Sequence, residues 1–231
     1  TPHLRNPSMP NETCSHGLGR PLGRLLATLT LAVLAPAIVP PASAEDHILT
    51  IGGGYSPTGN QVSLEKNVLF FRRALEDLGM AAVHHDVFFS DGDDPGRDLQ
   101  FTDVEHNLPQ VNRLLAQLFE QTGDLGYEYR SHQVSGLRGA STRDNIERWF
   151  AENAPDLKAG DRLIVYFTGH GGKGKKPENS HLYLWNQEQI PVDEFTKLLD
   201  KLSPEVSVVL VMVQCYSGGF ANSIFNLGDS D

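Results

Sequence analysis

The chain has 231 residues, 39% hydrophobic and 8% aromatic, which suits one sizeable α/β domain with its own core and excludes a disordered chain. Its formal net charge of -10 argues against a nucleic-acid partner, since phosphate affinity needs clustered Lys and Arg, and offers nothing to anionic lipid.

In chain order, the first feature is an export pattern. Arg20 and Arg24 precede the short apolar stretch Leu25 to Val39, and Ala42 and Ala44 place small residues at -3 and -1 before Glu45. This reads as a Sec-type signal peptide cut after Ala44, giving an N-terminal segment 1–44 and a domain 45–231. The apolar run is too short to span a bilayer and Pro36 interrupts it, so no stable membrane insertion is expected after cleavage. The destination would be periplasmic or extracellular. Cleavage removes three of 19 basic and one of 29 acidic residues, leaving 16 against 28, or -12, and it removes Cys14. Cys215 is then the sole cysteine, and a leftover thiol in an oxidising compartment is either inert core or reactive by purpose.

"HILTIGGG", His47 to Gly54, reads as a buried strand entering a glycine loop. From Ser63, apolar residues at 64, 68, 71, 75 and 78 predict a helix stopped by Gly79. "AAVHHDVFF" is a second strand, and Ser90 to Asp98 is a polar loop. Val111 to Gln121 is helical, and "YEYRSHQV" is a short strand. The next helix has its N-cap at Ser141 or Thr142. "DRLIVYFTG" is a strand covered on both faces. A helix follows with Pro191 in its first turn, and "EVSVVLVMVQ" is another buried strand. Alternating strands and helices predict a mostly parallel sheet with helices on both faces, a three-layer αβα sandwich. The last α/β unit looks unfinished at Asp231, so part of the domain is expected beyond that residue.

Ligands of such sheets bind at the carboxyl ends of the strands. "LIVYF" ends in "TGHGG" and "VVLVMV" ends in "QCYSGG". One crossover helix lies between, and a right-handed crossover usually makes such strands neighbours, about 4.8 Å apart. His170 and Cys215 then form a base and nucleophile pair for acyl transfer. The N–H groups of Gly171 and Cys215 are the natural donors to a developing oxyanion. Ser217, Gly218 and Gly219 let a substrate backbone approach, and a helix starting there favours the thiolate.

"VYFTGHGG" and "VMVQCYSGG" resemble the His-Gly and Cys blocks of the caspase-like cysteine peptidases, the clan of caspases, metacaspases, legumains, gingipains and clostripain. The resemblance spans Asp161 to Phe220, with 45 residues between His170 and Cys215. It implies a caspase-hemoglobinase-like fold and an exported endopeptidase acting on proteins or peptides without a cofactor. It also implies that the loop Gly52 to Ser63 contributes to substrate binding, through Asn60, Gln61 and Ser63, with Gln214 beside the nucleophile. Caspases carry a glutamine two places before the cysteine; that place is Val213 here, and the loop carries no charge to select an acidic residue. A ligase with the same dyad and a non-catalytic binding domain of the same fold are the alternative readings. Nothing in the sequence addresses oligomeric state.

Other motifs carry less. Gly54 to Gln61 has P-loop glycine spacing but Asn60 and Gln61 where lysine and Ser/Thr belong. "DGDDPG", Asp91 to Gly96, lacks a complete calcium ligand set, with Pro95 and Thr102 at ligand places, and reads first as a solvated acidic turn; the resemblance to metacaspases, some of which bind calcium, keeps a calcium loop as the alternative. The adjacent His84 and His85 point to opposite faces of a strand and cannot share a metal. No metal is expected. Two outcomes follow. N-terminal sequencing of secreted protein should begin at Glu45, and Cys14 should be absent from it. A calcium chelator should leave peptidase activity intact.

Overall fold

The computed structural model describes residues 44–102, 108–122, 125–176 and 179–225, all within one compact unit, Ala42–Asp231. The signal-peptide pattern lies outside the described residues. Four strands form the main sheet: β1 (Asp46–Gly52), β2 (His84–Phe89), β5 (Arg162–Thr168) and β9 (Ser207–Val213). Their spatial order is β2-β1-β5-β9, and every pairing is parallel. The αβα sandwich expected from the alternation is therefore present.

Period-2 side-chain alternation divides each strand between two layers. Leu49, Ile51, Leu163, Val165 and Phe167 face a core shared with α3 (Arg143–Asn153) and α4 (Val192–Leu199), through Ile146, Trp149, Phe150 and Phe195. Phe220 of α5 (Gly218–Phe225) joins the same core. On the opposite face Val87 and Phe89 meet Leu64 and Val68 of α1 (Val62–Asp77). Under α1 the Phe71 ring stacks on Tyr166 at 4.2 Å. His85 shares a 2.8 Å hydrogen bond with Thr50 Oγ1 there. Burial pushes the His85 imidazole down to about 4, so it stays neutral.

α1 ends as the sequence indicates. Gly79 has φ +76°, its N–H donates to Glu76 O, and Met80 N–H donates to Leu75 O, the two bonds of a glycine-terminated helix. Leu78 does not continue the apolar stripe and is exposed. α3 starts at one of the two expected caps, with a different capping bond. Thr142 is its N-cap but makes no side-chain cap bond; the Arg143 N–H donates to Glu188 Oε2 at 2.6 Å instead. Pro191 is the N-cap of α4 rather than a helical residue.

β9 was expected to be buried on both faces. Only Val208, Leu210 and Met212 pack on the core; Val209, Val211 and Val213 are 41%, 37% and 47% exposed. β9 is the edge of the described sheet, and α1 lies over β1 and β5 instead. Uniform apolarity does not distinguish a strand covered on two faces from one covered on a single face.

Of the strands in two small antiparallel sheets, only Tyr127–Arg130 is legible in the sequence, as the first half of "YEYRSHQV"; the others have at most four residues and leave no pattern. β3 (Leu99–Thr102) pairs with β4 (Tyr127–Arg130), and α2 (Gln110–Leu118) lies between them in the chain. Val111, Leu114, Leu115 and Leu118 of α2 are all exposed. The second small sheet joins β6 (Gly171–Gly172), β7 (His181–Tyr183) and β8 (Gln189–Pro191). The acidic loop after β2 is not wholly solvated: Asp98 is buried, and burial together with Asp98 pushes the Asp91 carboxyl up to about 6.

The β3–β4 pair is tied to α1 by an ion pair. Arg130 Nη1 and Nη2 donate to Glu65 Oε1 and Oε2 at 3.0 and 2.6 Å, and Gln133 N–H also donates to Oε1. Burial opposes ionisation of Glu65, but these donors prevail and hold its carboxyl below the ordinary value of 4.5. Glu65→Ala should cost about 3 kcal/mol in urea unfolding at pH 7, because it strands a partly buried guanidinium. The paired change Glu65→Leu with Arg130→Met should recover most of that loss. A depressed carboxyl stabilises above its unfolded pKa, so the wild-type advantage over Glu65→Gln should shrink as pH falls below 4.5.

Candidate active site at the ends of β5 and β9

The β5–β9 register pairs Thr168 with Val213, so His170 and Cys215 each stand two residues past adjacent strand ends. The two strands are neighbours, as the single crossover helix requires. Cys215 is a free, exposed cysteine. Its backbone lies directly against Gly171: a Cβ built there would run into the Cys215 carbonyl and come within 2.7 Å of Gln214 Cγ. Any residue larger than glycine at 171 would push the two blocks apart.

His170 is fixed on the side of the β1 loop. Its Nε2 lies 2.7 Å from the Gly59 carbonyl and 2.9 Å from Gln61 Oε1. The Gly59 carbonyl can only accept, so Nε2 must carry the ring proton. The neutral imidazole then has its lone pair on Nδ1, which makes Nδ1 the basic atom. The Tyr55 ring lies 5.2 Å from the imidazole and 5.4 Å from Tyr183, walling the same side. Tyr55, Tyr183, Gln187 and Gln189 line a cleft of about 310 Å³ next to His170.

The hairpin after His170 sets the backbone donors. Tyr183 N–H donates to His170 O at 2.9 Å, which makes Gly171 and Leu182 a non-hydrogen-bonded pair. The Gly171 N–H therefore points away from β7. On the cysteine side Ser180 Oγ donates to Tyr216 O at 2.8 Å, and Tyr216 holds φ +61°. A non-glycine residue in the left-handed region is strained and persists only where its surroundings hold it. The Ser180 bond is one such restraint.

The remaining sequence candidates separate. Gln61 reaches His170. Asn60 faces inward instead of toward substrate: it is fully buried, its Oδ1 accepts from Gly54 N–H, and its Nδ2 donates to Asp98 O and Oδ2. Its role is to close the loop that presents Gly59 and Gln61. Ser63 is exposed in the first turn of α1. Gln214 is partly buried beside Cys215, and both its amide atoms lack a hydrogen-bond partner among the described residues. Tyr55, Ser180 and Tyr183 were missed, because their roles depend on hairpin contacts that leave no periodic signal.

The acceptor pair on His170 predicts its tautomer. Nitrogen NMR at neutral pH should show His170 protonated on Nε2 with Nδ1 bare. Gln61→Leu should leave Gly59 O as the lone acceptor and raise the share of the other tautomer. A ring protonated on Nδ1 in the wild type would contradict the geometry.

Comparison with known proteins adds one family. Residues 149–228, from α3 through both motifs, match the model of the Peptidase C13 family. No curated protein matches. A solved structure, protein GSU0716 from Geobacter sulfurreducens, is similar over 74% of this chain at 14% identity and a TM-score of 0.43. This chain spans 50% of that protein's length. Through the segment that holds His170 and Cys215, this chain is similar to the Peptidase C13 family, and its resemblance to the caspase-like cysteine peptidases is borne out.

Proposed function

We propose that this protein is an exported cysteine endopeptidase that hydrolyses peptide bonds with a His170–Cys215 dyad. The observation that supports it most is the β5–β9 register, which sets an exposed thiol and an oriented imidazole at matching strand ends. The similarity to a cysteine peptidase family over the same segment points the same way. Export rests on the residues before Glu45. Ala44 and Glu45 are exposed ahead of β1, which suits cleavage between them. Among the described residues no helix is long and apolar enough to cross a membrane.

The steps use the dyad, two backbone donors and a water. His170 Nδ1 takes the thiol proton, and the Cys215 thiolate attacks the carbonyl carbon of the scissile bond. The tetrahedral oxyanion accepts from the N–H groups of Gly171 and Cys215, and Gly171 is the residue whose N–H the hairpin leaves free. Collapse expels the amine, which carries away the proton held by His170. Water, deprotonated by the same nitrogen, then cleaves the thioester and restores the thiol. Gly59 O and Gln61 Oε1 hold the Nε2 proton throughout, so that the imidazolium is stabilised and aimed.

Cys215→Ser should lower kcat/KM for a cleavable peptide by about 10³ or more, and His170→Ala by a similar factor. The double variant should lose little more, because groups that act as a unit are non-additive. Circular dichroism should be unchanged, since the thiol is exposed. An active Cys215→Ala enzyme would overturn the reading, and transfer of the acyl group to an added amine in preference to water would make it a ligase.

A further inference from the structure

The acidic loop after β2 turns two carboxylates inward, and a segment beyond β4 brings an imidazole to meet them. Asp91, Asp98 and His132 each offer one ligand atom, and these atoms lie within 4.8 Å of one another. Asp91 Oδ1 is 3.9 Å from His132 Nε2. The Gly92 carbonyl oxygen is 2.8 Å from the same nitrogen, so a fourth donor stands beside the three. The pocket is dry. Asp98 is 1% exposed, and the side chains of His132 and Asp91 are 8% and 12% exposed.

Asp91 Oδ1 is sealed from solvent and no hydrogen-bond donor reaches it. A buried carboxylate oxygen without a donor is among the costlier features a fold can keep. Arg130, which acts on Asp98, directs both terminal nitrogens at Glu65. Asp98 is held by one hydrogen bond on each oxygen, from His132 N–H and from Asn60 Nδ2, which orients it and leaves lone pairs on both. Supporting bonds of this kind are how proteins aim metal-binding carboxylates.

We propose that Asp91, Asp98 and His132 bind one divalent cation, Zn²⁺ or Mn²⁺ in preference to Ca²⁺. Two carboxylates and one imidazole form a mixed oxygen and nitrogen set, which first-row metals accept. Calcium takes six to eight oxygen ligands, more than this pocket supplies. On ligation the neutral imidazole keeps its one proton, which moves from Nε2 to Nδ1. The ring then gives up its bond to Gly92 O and the longer 3.2 Å bond from Val134 N–H. The two carboxylates balance the charge of the cation. Asn60 links this pocket to the loop that carries Gly59 and Gln61, so an occupied site would brace the segment holding His170. The site stands whether or not the dyad is a peptidase.

Calorimetric titration of the full chain tests this in a Cys215→Ala background, which keeps Zn²⁺ off the thiol. ZnCl₂, MnCl₂ and CaCl₂ are titrated separately. The expected result is one Zn²⁺ or Mn²⁺ per chain, with Ca²⁺ at least about 10-fold weaker. Asp91→Asn should weaken binding about 100-fold or more, while Asp93→Asn, an exposed neighbour in the same loop, should bind normally. Electron spin resonance of the Mn²⁺ complex should show coupling to one imidazole nitrogen, and this needs no substitution in the pocket. Absence of Zn²⁺ and Mn²⁺ binding tighter than millimolar, stronger binding of Ca²⁺, unchanged binding in Asp91→Asn, or no nitrogen coupling would each overturn the proposal.

Discussion

Parallel pairing of β5 with β9 is the constraint on which the site depends. Once Thr168 stands opposite Val213, two chemically different blocks leave the sheet side by side and at the same height. A slip of one residue would reverse the faces of β9, setting Val209 and Val211 against the core in place of Leu210 and Met212. The register is therefore set by packing. Val208, Leu210 and Met212 meet the core of α3 and α4, and the chemistry inherits the alignment that burial imposes.

Alignment alone would leave two flexible loops, and polar bonds make them specific. On the histidine side, buried Asn60 draws the loop closed by bonding Gly54 and Asp98, and the closed loop offers Gly59 O and Gln61 Oε1 to one imidazole nitrogen. On the cysteine side, Ser180 of the β6–β8 region holds the carbonyl of Tyr216. Between them Gly171 permits backbone contact that no side chain would allow. The residues nearest the chemistry are thus backbone groups and short polar side chains, which hold geometry with little conformational freedom to lose.

Ion pairs and buried polar groups distribute the support unevenly. Asp86, on the core face of β2, accepts from Trp149 Nε1 at 2.7 Å and pairs with Arg138, joining the sheet to α3. Glu65 does the same for α1 and the β3–β4 pair. The Asp91 pocket keeps a carboxylate oxygen with no hydrogen-bond partner among the described residues, although it lies one bonded residue, Asn60, from the loop that orients His170. A cation there would complete a pattern that the rest of the molecule already follows.

The sequence by itself determined the α/β alternation, the approximate limits of the four long strands and of the main helices, and the two motifs at adjacent strand ends. These are local signals: apolar periodicity, glycine stops and motif spacing survive without knowledge of contacts. Asn60 shows the limit of such signals. A loop asparagine reads as surface, and only the approach of Asp98 from another loop turns it inward. His132 and Asp91 are 41 positions apart in the numbering yet meet in one pocket, so no spacing rule joins them. Short strands such as Gly171–Gly172 are defined by their partners and have no pattern of their own. What tertiary structure decided was which polar groups face each other, because that depends on contacts between segments distant in the chain.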